Sequence, residues 1–485
     1  MKDTIVKALK DIVGQNNASS DLIERLAYQD AHLPSGELIR GIPDVVVMPE
    51  TAEQVSKIVA LANKERIPVI PRGCGECQSG ANIAQKGGIL LDMALLNKIL
   101  EINQEDMVVV AEGGCSTYKI MWELNKLGLR LPWGPVFTCG PLIGSAVATN
   151  ATGDFMRYGR LGDNIVGLEV VLPNSDIVVL GSGAYASGYG HYHRYVGTSD
   201  LTGIFVNSGG AMGIITKVAV RLLAKPGAVS YLTYGWRRDQ AKELTIAMRE
   251  LQKYNIYDIH LWNEWAFFGP SAYFSHISER VEMPEDVHFL NMMVIDGLND
   301  EELEIRERFF RRICEQHAGK DIGRTISKFM NGPPDYLAFG APGLSRAQSE
   351  AMGLEELATR SAASYFYNPV SKFPEIYNLW ESTCQKYGYW NETYIPAWLS
   401  WADRNAMNPY PMIVAIPTEK PEIEKFRKFW HEFNLELTKR GCCHYAIGPS
   451  YPREAFENLG MGYQLLKKVK ETLDPNNIMN PGVIF

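Results

Sequence analysis

The apolar positions of the first 225 residues fall into helical repeats and short unbroken runs. Ile5, Val6, Leu9, Ile12 and Val13 recur at helical spacing, as do Leu22, Ile23 and Leu26, so residues 1–40 read as helical. Val45 to Met48 predicts a short strand ended by Pro49. Thr51 then offers an N-cap for a helix with Val55, Ile58, Val59 and Ala62 on one face. Ile67 to Ile70 predicts the next strand, which places residue 72 at the end of a β-α-β unit. A third apolar run, Ile89 to Leu91, follows after a glycine-rich gap. Met107 to Ala111 predicts a further strand, and Thr117 to Leu127 a helix. Leu168 to Leu172 and Ile177 to Leu180 bracket Pro173-Asn174-Ser175-Asp176 as a hairpin. Residues 181 to 200, rich in Gly, Tyr and His, read as loop. Gly203 to Leu222 reads as a short helix, a glycine turn and a strand.

Near Lys225-Pro226-Gly227 the pattern changes. Helical repeats dominate from there, at Gln240 to Tyr254, Glu301 to His317 and Thr418 to Arg440. Asp286 to Asp296 and Met412 to Ile416 read as strands. A last helix carries Leu465, Leu466, Val469 and Leu473 and runs into DPNNIMNPGVIF. The expected class is α+β, in three stretches: 1–227, 228–430 and 431–485.

Two glycine-rich stretches carry the candidate chemistry. In PRGCGECQSG, Gly73, Gly75, Ser79 and Gly80 crowd into eight positions after Arg72. Glycine permits positive φ and lets a ligand approach backbone amides, so these residues fit a diphosphate cradle. They fit a tight turn between two strands equally well. The second stretch, Gly134 to Gly167, adds the small residues Ser145, Ala146, Ala148 and Ala151, as expected where backbone lies along an elongated ligand or where a helix packs closely on a sheet. Cys74-Gly-Glu-Cys77 has the Cys-x-x-Cys spacing of thiol redox or zinc sites, but no second ligand pair lies nearby, and no metal is expected. Vicinal Cys442 and Cys443 are poor joint ligands for one ion, and Cys442 reads as packing.

Composition narrows the partners. A net charge of −8 argues against nucleic acid or an anionic membrane surface. No apolar run reaches membrane-spanning length and no signal-peptide pattern opens the chain, so a cytoplasmic protein is expected. Eight scattered cysteines suit a reducing compartment.

Four motifs together resemble the flavoprotein superfamily of vanillyl-alcohol oxidase and p-cresol methylhydroxylase, which includes the glycolate oxidase type of D-2-hydroxyacid dehydrogenase. They are IPDVVVMPETAEQVSKIV with PRGCGECQSG, GPLIGSAVATNATGDFMRYG, DLTGIFVNSGGAMGIITK and LDPNNIMNPGVIF. The resemblance covers roughly residues 40 to 225 and 430 to 485. It implies an FAD-binding domain of two α/β subdomains over 1–227, a cap domain with an antiparallel sheet over 228–430, and a C-terminal segment that returns to the FAD domain. It also implies that Arg72, Gly73, Cys74, Gly75, Glu76, Cys77 and Ser79 lie along the diphosphate. Gly144, Ser145, Thr149, Gly153 and Tyr158 are then expected along the adenosine and ring, Gly213 and Ile215 as backbone partners, and Asn480 near the ring. The first loop has no histidine, so non-covalent FAD is expected, with Cys139 and His191 the alternatives for a covalent link.

The same resemblance frames the substrate. The His-x-Gly-Asp-Gly type of metal motif found in the hydroxyacid branch is absent. The phenol-oxidising branch has a Tyr-Arg pair before its last helix; here Tyr445 matches the tyrosine and Ala446 replaces the arginine. His444 is a candidate proton acceptor beside Tyr445. The cap is dense in aromatics, from Trp262, Trp265, Phe267 and Phe268 through Tyr365, Phe366 and Tyr367 to Tyr389, Trp398 and Trp401. Such rings fill a core or line an apolar pocket, with Asn391, Glu392 and Arg404 available to orient a ligand. The expected function is FAD-dependent removal of a hydride from an alcohol or para-substituted phenol-like substrate. The alternatives are a D-2-hydroxyacid dehydrogenase and a flavin subunit that passes electrons to a partner protein. A homo-oligomer is expected.

Overall fold

The computed structural model describes residues 1–29, 40–75, 77, 79–135, 141–255, 259–264, 284–324, 362–391, 394, 396–403, 405–413, 420–445 and 448–484. Three sheets organise them.

The first sheet grows from the apolar runs at the N-terminal end. Val45–Val47 and Val69–Arg72 flank Ile89–Asp92, and both pair with it in parallel. Ala18–Ser19 adds an antiparallel edge, a short strand inside the region read as helical. The helix Ala52–Glu65 begins at Thr51, whose hydroxyl accepts from the Gln54 N–H at 3.2 Å. Its buried face, Val55, Ile58, Val59 and Ala62, packs with Val45, Val69 and Leu91. Parallel pairing settles the open question about PRGCGECQSG. Antiparallel strands can be joined by a tight turn; parallel ones need a crossover. The chain between Arg72 and Ile89 is therefore a crossover connection and not a tight hairpin turn.

The second sheet has five antiparallel strands in the order Ile177–Gly181, Ile165–Val171, Ile214–Arg221, Val108–Glu112, Ile99–Asn103. The expected hairpin is there, with Val171 opposite Ile177 and Ser175 at φ 75° in its turn. Helices Thr117–Lys126 and Ile143–Ala148 share one core with this sheet, through Ile120, Leu124, Ile143 and Val147 against Ala111, Val170 and Val218.

The third sheet has seven antiparallel strands: Lys320–Gly323, Ala228–Trp236, Phe289–Gly297, Ile259–Glu264, Pro396–Ala402, Met407–Ile413 and Ala362–Ala363. Four helices cover one face: Ala241–Tyr254, Asp300–Gln316, Phe373–Tyr387 and Lys420–Lys439. Cross-strand partners share a face. Leu232, Met293, Trp398 and Met407 point into the helix-backed core. Asp296, on the opposite face, forms ion pairs with Arg130 and Arg157 of the glycine-rich half. The sheet is thus helix-backed on one side, and its other side meets Arg130 and Arg157 of the glycine-rich half.

The C-terminal stretch docks on the first sheet. Val69 N–H donates to the Ile478 carbonyl at 2.8 Å, and Asn480 N–H to the Val69 carbonyl at 2.9 Å. Beneath it, Lys470 is 2 % exposed and its ammonium donates to Asp474, to the Ala211 carbonyl at 2.8 Å and to the Met479 carbonyl at 2.8 Å. No helix among the described residues is long and apolar enough to cross a membrane.

Candidate active site

Glycines bring three segments into van der Waals contact. A side chain on Gly73 would place its Cβ 2.7 Å from Ser145 Oγ; on Gly144, 2.8 Å from the Gly113 carbonyl; on Gly210, which sits at φ 74°, 2.5 Å from Pro71. Real Cβ atoms do not approach so closely, so only glycine lets crossover, helix and loop meet. Between them opens a narrow slot, partly open to solvent. Its walls include Arg72, Gly73, Cys77, Gly144, Ser145, Thr149, Gly213 and Ile215 from the expected set. They also include Pro71, Asn82, Gly113, Leu142, Gly209 and Gly210, which sequence reasoning missed.

Asn82 decides what the cavity suits. It is 6 % exposed, and neither its amide nitrogen nor its amide oxygen has a hydrogen-bond partner in the described structure. Buried amides are almost always paired. An orphaned donor–acceptor group in a mostly apolar, glycine-lined slot fits a flat ligand with its own polar edge, and a flavin meets that description. The residues present fit FAD.

Several of the residues expected along FAD also make contacts within the protein. The Arg72 guanidinium is held by the Tyr28 carbonyl at 3.1 Å and the Asn82 carbonyl at 3.4 Å, so it props the crossover as well as lining the cavity. Gly75, at φ 86°, lies against that guanidinium. Ser79 is buried beneath residues 448–450; its carbonyl accepts from Ser450 N–H at 2.9 Å and its hydroxyl contacts Cys77 Sγ at 3.0 Å. Asn480 ties two walls together, its amide donating to the Ala81 carbonyl at 2.6 Å and the Gly209 carbonyl at 2.7 Å. Cys74 is exposed, and Gly153 pairs with Pro135 in a two-residue ladder. Tyr158 bonds Arg130 at 3.3 Å beside the Asp296 cluster, away from the cavity walls. His191 packs over Gly167 and Gly183 and does not line the cavity. Glu76, Cys139, Glu392 and Arg404 lie outside the described residues.

A wall of tyrosines stands next to the Thr149 end of the cavity. The Tyr445 hydroxyl accepts from the Thr152 backbone N–H at 2.9 Å. Its ring centroid is 5.3 Å from that of Tyr365 and 6.2 Å from that of Tyr367. Tyr365 stacks on Tyr410 at 4.0 Å. Strand alternation explains the split within Tyr365, Phe366 and Tyr367: Phe366 enters the helix-backed core, and the two tyrosines join Tyr445. Burial pushes the Tyr445 phenol up to about 12, with the Thr152 N–H and Arg160 opposing it. Burial also holds the Tyr365 and Tyr367 phenols well above their ordinary value. All three are neutral near pH 7.

The same alternation separates His444 from Tyr445. His444 Nε2 contacts Thr438 Oγ1 at 2.9 Å, on the helix Lys420–Lys439, and burial lowers its pKa to about 4. It therefore sits behind the wall, and the expected proton acceptor beside Tyr445 is not placed in the wall by this strand. Arg160 and Thr152 were missed; neither stands in a motif that sequence reading assigns to a substrate.

A family model described as FAD binding domain matches residues 43–181, and one described as FAD linked oxidases, C-terminal domain, matches residues 271–484. Mitochondrial D-lactate dehydrogenase (cytochrome) of Arabidopsis thaliana is 25% identical, over 99% of this chain and 80% of its own. Glycolate oxidase subunit GlcD of Bacillus subtilis (strain 168) is 30% identical, over 46% of this chain and 45% of its own. The solved structure of p-cresol methylhydroxylase with substrate bound has the same fold, with a TM-score of 0.82 at 18% identity, covering 99% of this chain and 96% of that one. The chain belongs to the FAD-linked oxidoreductases, flavoproteins that join an FAD binding domain to the C-terminal domain of FAD-linked oxidases.

Proposed function

We propose that the protein dehydrogenates an alcohol or para-substituted phenol-like substrate of aromatic or bulky shape, using non-covalent FAD. The tyrosine wall of Tyr365, Tyr367, Tyr410 and Tyr445 carries this reading: it offers flat apolar faces with neutral hydroxyls, next to the cavity that fits the flavin. Bound FAD supplies a hydride acceptor. The chain's own residues do the rest. Asn82 and the glycine-lined walls hold the cofactor. Buried tyrosine rings exclude water and present hydroxyls to the substrate oxygen. Electrons leave to oxygen or to a separate acceptor. Similarity to p-cresol methylhydroxylase in fold supports the aromatic assignment.

A second reading is oxidation of a D-2-hydroxyacid. It is favoured by relatives named as D-lactate dehydrogenase, glycolate oxidase and D-2-hydroxyglutarate dehydrogenase. Anaerobic titration of the yellow protein with para-alkylphenols, benzylic alcohols and D-2-hydroxyacids separates the two. Bleaching by the aromatic members supports the first reading. Bleaching by the hydroxyacids alone replaces it with the second.

A further inference from the structure

We propose that Arg160 recognises an anionic oxygen of the substrate, a phenolate or a carboxylate, in place of the cation that Ala446 does not supply. The inference rests on the site proposed above. Four arginines lie where the glycine-rich half meets the seven-stranded sheet, and three converge on one carboxylate: Arg130, Arg157 and Arg306 all pair with Asp296. Arg160 differs. Its backbone is pinned on both sides, the N–H donating to Asp163 Oδ2 at 3.0 Å and the carbonyl accepting from Asn164 Nδ2 at 2.7 Å. Its side chain projects from that clamp to the tyrosine wall, with Cζ 3.5 Å from the Tyr367 ring centroid. Its ion partner is Asp403, at a loose 3.8 Å from Nε, and Nε is buried without a hydrogen bond to any described residue.

A guanidinium carries five N–H donors in a fixed fork that matches two-oxygen anions and single oxyanions alike. Here the fork stacks on one tyrosine, and its field reaches Tyr445. Its Nε, shielded from water, has no hydrogen-bond acceptor among the described residues, and a charge-assisted hydrogen bond formed there is strong. Asp403 balances the charge without bonding the fork closely, so a ligand oxygen completes the group. Because Arg160 comes from the second glycine-rich stretch, the cation is tied to the cofactor domain while the tyrosines come from the cap and C-terminal segment.

The test uses the FAD-loaded protein and two variants, Arg160→Gln and Arg160→Lys, with FAD content and thermal midpoint measured first. Probes are 4-nitrophenol and benzoate, read by flavin difference spectra, each against a neutral partner, 4-nitroanisole and methyl benzoate. The wild type is expected to bind at least one anion. Arg160→Gln should weaken that anion roughly 10- to 100-fold, the size of one charge-assisted hydrogen bond. The neutral partner should bind unchanged, and Arg160→Lys should fall between. Selective loss of nitrophenolate assigns a phenolate; selective loss of benzoate assigns a carboxylate. Equal binding of anions by wild type and Arg160→Gln, equal loss of charged and neutral probes, or no anion binding by the wild type overturns the proposal. These spectra need no turnover. If no alcohol, phenol or hydroxyacid reduces the flavin, the proposed function fails while the anion result still stands or falls by itself.

Discussion

The Tyr445 hydroxyl accepts a hydrogen bond from the Thr152 backbone N–H at 2.9 Å, across 293 residues of sequence. This contact joins the C-terminal segment to the second glycine-rich stretch and fixes where the tyrosine wall stands relative to the cavity. Thr152 is 8 % exposed, so its N–H has little access to water. Tyr445→Phe keeps the ring and strands that donor. The expected loss is about 1–3 kcal/mol of stability, seen in denaturant unfolding, with a fall in kcat for the substrate that reduces the wild-type flavin. An unchanged kcat would remove Tyr445 from the substrate site.

Gly73 and Ser145 form a tight lining contact with a defined remedy. Gly73→Ala drives a Cβ to 2.7 Å from Ser145 Oγ and 2.9 Å from Ser145 Cβ, with only an ordinary contact to Leu142 beyond. FAD affinity should fall in the single variant. Removing the opposing side chain in Gly73→Ala/Ser145→Gly should restore most of it. Equilibrium titration of the apoprotein with FAD measures both.

Lys470 and Asp474 are 2 % exposed each. Asp474 also accepts from the Ile478 N–H at 3.0 Å and the Met479 N–H at 2.8 Å, so the pair shapes the turn that delivers Asn480 to the Ala81 and Gly209 carbonyls. Breaking a buried pair from one side leaves a charge without compensation and costs about 3–5 kcal/mol. Lys470→Met should therefore unfold earlier and shed FAD on gel filtration, because two cavity walls lose their tie.

His444 gives a pH signature. Its folded pKa, about 4, lies below the ordinary 6.5 because burial disfavours the charged ring. An unfolded chain takes up a proton at pH values where the folded one does not. Stability should fall as pH drops below about 6.5 and stop falling from this source near about 4, with a contribution of at most about 3 kcal/mol. His444→Gln should flatten that limb of the stability–pH curve.

Much of the nucleotide half was legible in sequence, because its elements obey local rules. Thr51 capped the helix it was expected to cap, and Pro173 to Asp176 turned the expected hairpin. The glycine-rich stretches were legible as a pair, since cavity walls made of backbone demand glycine in the chain itself. Partner choice was not. Arg72 looked like a phosphate ligand, yet it also holds two carbonyls that no motif announces. The seven-stranded sheet was largely hidden. Pro396–Ala402 and Met407–Ile413 are buried along their whole length, so they lack the polar–apolar alternation that marks a strand with one wet face. Arg160 was hidden for another reason: its role depends on Tyr367, 207 positions away in sequence, and only the fold brings them together.

The most direct test of the account is an absorbance spectrum of the purified protein before and after acid precipitation, followed by anaerobic titration with para-alkylphenols and benzylic alcohols. The account predicts a yellow protein that releases free FAD into the supernatant and is bleached by an aromatic member of the panel. A colourless protein that takes up no FAD on reconstitution would contradict it at the root.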